Sequence, residues 1–243
     1  MTSHASYSQV GDLSLLVDTS QKQGRLIVLN SQFDILFESS WVPPKRHSEE
    51  LISEYKKCKS LILQNNLSKI YFVVGPGSFT GLRVGAAFVK ALSLACDSCP
   101  IITSSSFLSS AVCLSRTQPE LKNFYVCISS IQNKFFKAQF KASKDYILSE
   151  KIYFEGAQNG LHDPKIPAFT PNFELAEDRI EIQRIEPNTK DLIKGVKTLE
   201  SGLVYHKICS HLDLYPLYLR RSEAEEKYSY DKLKVWNQKK KQS

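Results

Sequence analysis

The chain has 243 residues, of which 42% are hydrophobic, enough for one large domain or two small ones with a sizeable core. Its formal net charge is +7, but Lys239, Lys240 and Lys241 supply part of it, so the charge permits nucleic-acid binding without requiring it. The N-terminal residues have no basic start, and the most apolar predicted helix carries Arg83 and Lys90. We therefore expect no secretory signal, no membrane span, and a cytoplasmic protein with reduced cysteines.

The first half of the chain predicts three strands and then alternating helices and strands. The strands are predicted at residues 13–17, 25–29, 33–38 and 70–74, with a fifth beginning at Ile101, and the helices at His47–Leu63 and residues 80–96. Short links favour antiparallel pairing of the first three strands. In the first helix, apolar residues recur on one face from Leu51, and Ser48 is placed to cap its start. This order is that of a ribonuclease H-like lobe.

The second half of the chain repeats this order more weakly. Strands are predicted at residues 124–128, 134–140, 146–153, 169–170 and 215–219, and a helix at residues 190–209. We therefore predict an α/β protein of two ribonuclease H-like lobes in tandem, the second degenerate, which is the actin-like ATPase (ASKHA) architecture. The first lobe would span residues 11–112 and the second 113–214. Residues 215–243 would pack back on the protein and end in a basic tail.

A glycine-rich turn, VVGPGSFTGLRVG at residues 73–85, joins the fourth strand to the second helix. Turns of this kind often hold phosphate, but the P-loop, the dinucleotide fingerprint and the nucleophile elbow all fail here on spacing. Pro76 also removes one of the backbone N–H groups from which a phosphate cradle is made. The spacing therefore favours a tight turn that lets a helix pack closely on its strand.

Four segments of the chain carry a resemblance to a known family. They are LLVDTS (residues 15–20), PPKRHSEEL (43–51), VVGPGSFTGLRVGAAFVKALSLA (73–95) and YPLYLRRSEAEE (215–226). In these segments the chain resembles the TsaB family, also called YeaZ, a subunit of the bacterial machinery that makes threonylcarbamoyladenosine (t6A) in tRNA. The chain departs from the family at residues 129–132, where the family often has Asp-Ala-Arg, and in the serine-rich segment 103–110.

The resemblance implies a subunit that is not an enzyme on its own and serves as a scaffold or activator of the t6A synthase. It would form a heterodimer with the related catalytic subunit TsaD, which transfers the threonylcarbamoyl group to the adenosine next to the anticodon. The small ATPase TsaE would join the pair, and tRNA would bind through the complex. No intrinsic cofactor is expected. ATP or ADP at the interface within the complex, and a homodimer of the chain alone, both stay open.

The two helices of the first lobe form the predicted partner interface. Its residues are His47, Leu51, Tyr55, Thr80, Gly81, Leu82, Arg83, Gly85, Ala86 and Val89. The second helix is apolar nearly all round, so we expect cover on both sides, one from its own sheet and one from the partner or from the chain's second domain. The residues that would lie near a nucleotide are Asp18, Thr19, Ser20, Gly75, Gly77 and Ser78.

No catalytic residue and no metal site is predicted. TsaD carries a metal-binding H-x-x-x-H after its matching helix, where this chain has serines from Ser104 to Ser110, and hydroxyls are poor ligands for transition metals. Asp18 is interpreted as an acceptor of backbone N–H groups in its own turn. Two alternatives stay open: a free-standing actin-like ATP-dependent enzyme, such as a kinase or a peptidase-like relative, and an RNA-binding module that uses the basic tail with Arg220 and Arg221.

Overall fold

The computed structural model describes residues 11–42, 46–129, 135–142, 147–155, 166–171, 182–200 and 206–217. Within these ranges the helices are α1 His47–Leu63, α2 Phe79–Ala95, α3 Leu108–Thr117 and α4 Thr189–Glu200. The strands are β1 Asp12–Asp18, β2 Gly24–Leu29, β3 Ile35–Trp41, β4 Asn66–Gly75, β5 Ile101–Ser105, β6 Asn123–Ser129, β7 Phe135–Ala142, β8 Ile147–Glu155, β9 Ala168–Thr170, β10 Ile182–Arg184 and β11 His206–Cys209. None of the described helices has the length and apolar character that crossing a membrane requires.

The first sheet has six strands in the order β11-β5-β4-β1-β2-β3. β1, β2 and β3 are antiparallel, whereas β4 and β5 run parallel to β1, as the predicted ribonuclease H-like lobe requires. Alternating residues of β1 serve different faces: Leu15 packs with α1 and α2, and Leu16 packs with α3, α4 and the second sheet. β4 is buried on both faces from Ile70 to Gly75, as its continuous apolar run predicts.

The second sheet repeats the strand order of the first in a reduced form. Its order is β10-β9-β6-β7-β8, with β6, β7 and β8 antiparallel and β9 and β10 parallel to β6. β9 and β10 have only three residues each, which makes this lobe the degenerate one. Two such sheets in one chain confirm the predicted α/β fold with two ribonuclease H-like lobes, the actin-like arrangement.

A shared hydrophobic core joins the two lobes. Leu16, Tyr71 and Val73 of the first sheet belong to the same buried cluster as Phe124 and Phe140 of the second. α3 and α4 lie in this layer and are joined by a bidentate ion pair, in which Arg116 Nε and Nη2 donate to the carboxylate of Asp191 at 2.9 and 3.0 Å. The lobes are therefore packed together through a continuous apolar layer.

The structure corrects several predicted elements. The helix predicted at residues 190–209 ends at Glu200, and His206–Cys209 instead forms β11 against β5. The exposed backbone groups of β5 at the sheet edge offer hydrogen bonds that outweigh the local helical pattern. β11 thus returns to the first sheet from the range predicted for the second lobe, although the boundary at residues 112/113 itself stays a prediction.

Further differences concern caps and the C-terminal region. Ser48 does not cap α1, because the N-cap residue is Arg46, which makes no side-chain cap bond. The strand predicted at residues 215–219 is not formed in its described part, residues 215–217. The Leu217 amide nevertheless donates to Val74 O at 2.7 Å. Residues 218–226, most of segment 129–132 and the basic tail lie outside the described residues. α3 and β10 were not predicted.

Candidate functional site

The glycine-rich turn is filled by the chain's own backbone. A Cβ at Gly77 would overlap the carbonyl oxygen of Ser20, and a Cβ at Gly81 would overlap that of Thr19. A side chain at Gly85 would collide with Thr19 Oγ1. These glycines are therefore required because the loop after β1 lies directly on the turn and fills the space that a side chain would take.

Hydrogen bonds fix this contact between the loop after β1 and the start of α2. The Ser78 amide donates to Ser20 O at 2.7 Å, and Thr19 Oγ1 donates to Gly81 O at 2.8 Å. Ser78 is also the N-cap of α2, and its Oγ accepts from the Gly81 amide at 3.1 Å. The structure thus brings together the predicted nucleotide-proximal residues Thr19, Ser20, Gly77 and Ser78. Polar groups of Thr19, Ser20 and Ser78 are used in hydrogen bonds within this contact.

His47 links the start of α1 to the same loop. Trp41 Nε1 donates to His47 Nδ1 at 2.9 Å, so Nδ1 is an acceptor and Nε2 carries the proton. Nε2 then donates to Gln21 O at 2.9 Å. Both ring nitrogens of this predicted interface residue are therefore used within the chain, where they orient the N-terminus of α1.

The predicted partner interface is divided by burial. α2 faces the sheet with Leu82, Ala86, Val89 and Ser93, which helical spacing places on one face of the helix. Of the ten predicted interface residues, six are therefore buried in the chain's own core: Leu51, Gly81, Leu82, Gly85, Ala86 and Val89. His47 and Tyr55 are half-buried, and Thr80 and Arg83 are exposed.

The opposite face of α2 is open in the described part of the chain. Ala87, Ala91 and Leu94 are exposed there, Leu94 to 61%. Beside this face, Tyr55 of α1 packs edge-on against Phe88 at 5.3 Å between ring centroids. The guanidinium of Arg83 stacks on Phe79 at 3.9 Å from the ring centroid. We call this surface the α1–α2 face, formed by Ile52, Tyr55, Thr80, Arg83, Ala87, Ala91 and Leu94.

A second candidate site is a cavity between the two lobes, which we call the cleft. Its volume is about 390 Å³, and it is lined by Asp18, Gln21, Lys22, Gln23, Arg25, Ser106, Ser109, Ser110, Pro171, Ile185, Glu186 and Pro187. Asp18 is only 6% exposed, and its Oδ1 accepts from the amide and the hydroxyl of Ser20 at 2.9 and 2.7 Å. It therefore accepts the bonds of its own turn, as predicted, with Ser20 as the donor.

The predicted nucleotide-proximal residues are divided between the cleft and the glycine-rich turn. Asp18 lines the cleft, whereas Gly75, Gly77 and Ser78 do not. Ser106 connects the cleft and the turn, because its amide donates to Gly75 O at 2.9 Å and its hydroxyl to Pro76 O at 2.5 Å. Among the described residues, no group of three His, Cys, Asp or Glu side chains could hold a metal ion. The serine-rich segment stands out in the sequence, but its place in the cleft was not predicted.

The six cysteines of the chain are all free, and all but Cys96 are buried. Cys96 and Cys99 have C-x-x-C spacing, and burial raises the pKa of both thiols, that of Cys99 to about 12. Cys99 therefore carries almost no thiolate at neutral pH, and the raised pKa of Cys96 also disfavours the thiolate that a redox motif uses.

Comparisons with known proteins agree with this architecture. The family described as TsaD, tRNA N6-adenosine threonylcarbamoyltransferase, matches residues 42–147. No curated protein sequence matches the chain. Among solved structures, YeaZ from Pseudomonas aeruginosa superimposes with a TM-score of 0.66 at 17% identity, covering 86% of this chain and 100% of that chain.

Two further solved structures complete this comparison. A protein with similarity to peptidase YeaZ from Pseudomonas aeruginosa gives the same TM-score of 0.66, 17% identity, and coverage of 86% and 100%. The ethanolamine utilization protein EutJ from Carboxydothermus hydrogenoformans has a TM-score of only 0.39 at 12% identity, covering 76% of this chain and 89% of that chain. Together, these comparisons show that residues 42–147 are similar to the TsaD family and that the chain shares the fold of YeaZ.

Proposed function

We propose that this chain is a non-catalytic scaffold or activator subunit of the t6A synthase. It pairs in the cytoplasm with a TsaD-type catalytic subunit, which transfers the threonylcarbamoyl group to adenosine in tRNA. A TsaE-type ATPase joins the pair, and ATP or ADP binds at an interface of the complex. The chain itself contributes surface and no reacting group.

The α1–α2 face is the observation that carries this proposal. A helix that is apolar nearly all round needs cover on both sides, yet Ala87, Ala91 and Leu94 of α2 are exposed in the described structure. Ala87 and Ala91 are small, so a partner helix could approach α2 closely, while Leu94 and Ile52 offer apolar contact. Arg83 adds a cation beside this area. Such a surface is suited to contact with another protein.

The state of the glycine-rich turn supports the absence of catalysis by the chain alone. Its glycines hold Thr19 and Ser20 in close contact, and the Ser78 amide is already bonded to Ser20 O. Asp18 is a buried carboxylate that lines the cleft, and its Oδ1 already accepts two bonds from Ser20. The alternative, a free-standing ATP-dependent enzyme, requires ATP turnover by the purified chain, and we expect none.

Two neighbouring alanines of α2 provide a matched test by co-purification with the TsaD-type subunit of the same organism. Ala87→Arg adds a charge that is solvated in the free chain, so melting should stay within about 0.5 kcal/mol of the parent. The same charge in a docked interface should weaken binding by about 2–4 kcal/mol, or roughly 30- to 1000-fold. Ala87→Ser, which is small and uncharged, serves as the control and should still bind.

Ala86→Arg is the matched variant on the other face of α2. Ala86 is 6% exposed and packs on the sheet, so an arginine there would be an unpaired charge in the core and should unfold the domain. Normal binding by folded Ala87→Arg would exclude the α1–α2 face as the interface. Failure of even the parent chain to capture the TsaD-type subunit would refute the proposed pairing itself.

A further inference from the structure

The cleft contains the N-terminus of α3. β5 ends at Ser105 and α3 begins at Leu108. Ser106 of the connection and Ser109 and Ser110 of the first turn of α3 line the cavity. The first amides of any helix have no intrahelical acceptor. Here the N-cap residue is Phe107, which makes no side-chain cap bond. The positive end of a ten-residue helix therefore faces the cavity without a capping side chain.

Ser110 provides a second, independent indication of a ligand. Ser110 is one of the residues that line the cleft, it is 1% exposed, and its buried Oγ has no hydrogen-bond partner. Ser115, on the same helix, shows the usual arrangement, since its Oγ donates to Ala111 O at 3.0 Å. Buried hydroxyls are almost always hydrogen-bonded, so Ser110 is an exception that a ligand in the cleft would explain.

Two opposite charges also line the cleft without neutralising each other. Asp18 and Arg25 are directly paired across β1 and β2, which places their side chains on the same face of the sheet. Among the described residues no ion pair joins them: Asp18 Oδ1 accepts from Ser20, and Arg25 Nη2 donates to Gln23 Oε1 at 2.7 Å. Both charges can therefore still bind a ligand.

We propose that the cleft binds a small organic zwitterion, such as a free α-amino acid. Its acidic group would accept hydrogen bonds from the first turn of α3, from the Ser110 hydroxyl and from Arg25. Its ammonium would lie at Asp18. A cavity of about 390 Å³ is within the range of small-molecule sites and has ample space for an amino acid.

The other charges around the cleft favour a zwitterion over a simple ion. Lys22 and Glu186 also line the cavity, and Arg184 Nη2 contacts Glu186 Oε1 at 2.9 Å. A purely anionic ligand would be repelled by Asp18 and Glu186, and a purely cationic one by Arg25, Lys22 and the α3 terminus. A molecule with both charges meets a favourable partner at each end.

The proposal is tested on the purified full chain by calorimetric titration and thermal shift with the twenty common amino acids, and with inorganic phosphate as an anion-only probe. We expect a subset of amino acids to bind and to raise the melting temperature, and phosphate to bind more weakly than these. Absence of binding by every amino acid at millimolar concentration would overturn the proposal, as would phosphate binding that amino acids do not displace.

Variants separate a binding role from a structural one. Ser110→Ala removes a hydroxyl without a partner, so melting of the free chain should not fall, whereas amino-acid affinity should drop about tenfold. Ser115→Ala, which removes a bonded hydroxyl of the same helix outside the cleft, should lower melting slightly and leave affinity unchanged. Asp18→Asn should weaken amino-acid binding and leave phosphate binding equal or stronger. Equal affinity in parent and Ser110→Ala would contradict the proposed site.

Discussion

The glycine-rich turn and the cleft lie at the same end of the first sheet, yet they use their polar groups in opposite ways. At the turn, the Ser78 amide donates to Ser20 O and the Thr19 hydroxyl donates to Gly81 O, and the glycines allow this close contact. In the cleft, Ser110 Oγ has no hydrogen-bond partner. Asp18 and Arg25 are cross-strand neighbours, but no ion pair joins them. A sequence motif that is typical of phosphate sites is thus structural here, whereas the plain serine-rich segment faces the open cavity.

The largest expected effect is at the turn. Gly81→Ala places a methyl group on the Thr19 carbonyl, a backbone atom that cannot move aside without shifting β1. Overpacking usually lowers the free energy of unfolding by about 1–3 kcal/mol. Because a backbone atom is hit here, we expect a loss of about 3 kcal/mol or more, measured by denaturant unfolding. Thr80→Ala, at the exposed neighbouring position, is the control and should change stability little. Similar stability of both variants would mean that the loop does not lie on the turn.

A smaller loss of stability is expected from Asp191 of α4, in the layer between the lobes. Asp191 is buried, accepts from Arg116, and forms a reciprocal cap with Asn188 at 3.0 and 3.1 Å. Burial raises the pKa of Asp191, but the bonds from Arg116 and the Asn188 amide outweigh it and hold the pKa below its usual value. The free energy of unfolding should fall by about 1–2 kcal/mol in Asp191→Asn, measured by urea denaturation at pH 7.

The pH dependence of this pair has a definite sign. Because the folded pKa of Asp191 is lowered, its contribution is fully present above the unfolded pKa of about 3.9 and is lost as the pH falls through the folded pKa. The stability difference between the parent chain and Asp191→Asn should therefore be constant at neutral pH and shrink below about pH 4. Arg184→Gln, which removes the exposed ion pair to Glu186, is the control and should be nearly neutral at either pH.

The smallest change in stability is expected when one hydroxyl is removed from the turn or from the cleft. Thr19→Val removes the buried donor to Gly81 O while keeping the shape of the side chain, so the turn should lose about 1 kcal/mol. Ser110→Ala in the cleft removes a hydroxyl that bonds to nothing, so the unfolding free energy should stay the same or rise slightly. The two melting curves check the comparison directly. A loss in Ser110→Ala as large as in Thr19→Val would mean that Ser110 has a structural partner.

Strong local patterns allowed most of the fold to be predicted from the sequence. The apolar stripe from Leu51 predicted α1 with the bounds that it has, and the glycine-rich turn was correctly placed between β4 and α2. α3 was missed because serines are weak helix formers and its helix is stabilised by burial between the lobes. β11 was predicted as helix because its pairing with the edge of β5 is a long-range contact that no local pattern reports.

The candidate sites were less predictable because both depend on tertiary packing. The spacing of α2 gave two possible faces, and only the fold determines that Ala86 faces the sheet and Ala87 faces outward. The cleft could not be predicted, because Asp18 of β1, Ser110 of α3 and Glu186 after β10 are far apart in the chain and meet only when the two lobes pack together.

The most direct test of the proposed function is the t6A content of tRNA in cells whose own copy of the gene is replaced by a variant. Mass spectrometry of digested tRNA should show a strong loss of t6A with Ala87→Arg, although the variant protein is folded and present at normal levels. The control Ala87→Ser should retain normal t6A. Normal t6A with Ala87→Arg, or with the gene deleted altogether, would contradict the account that this chain supports t6A synthesis through its α1–α2 face.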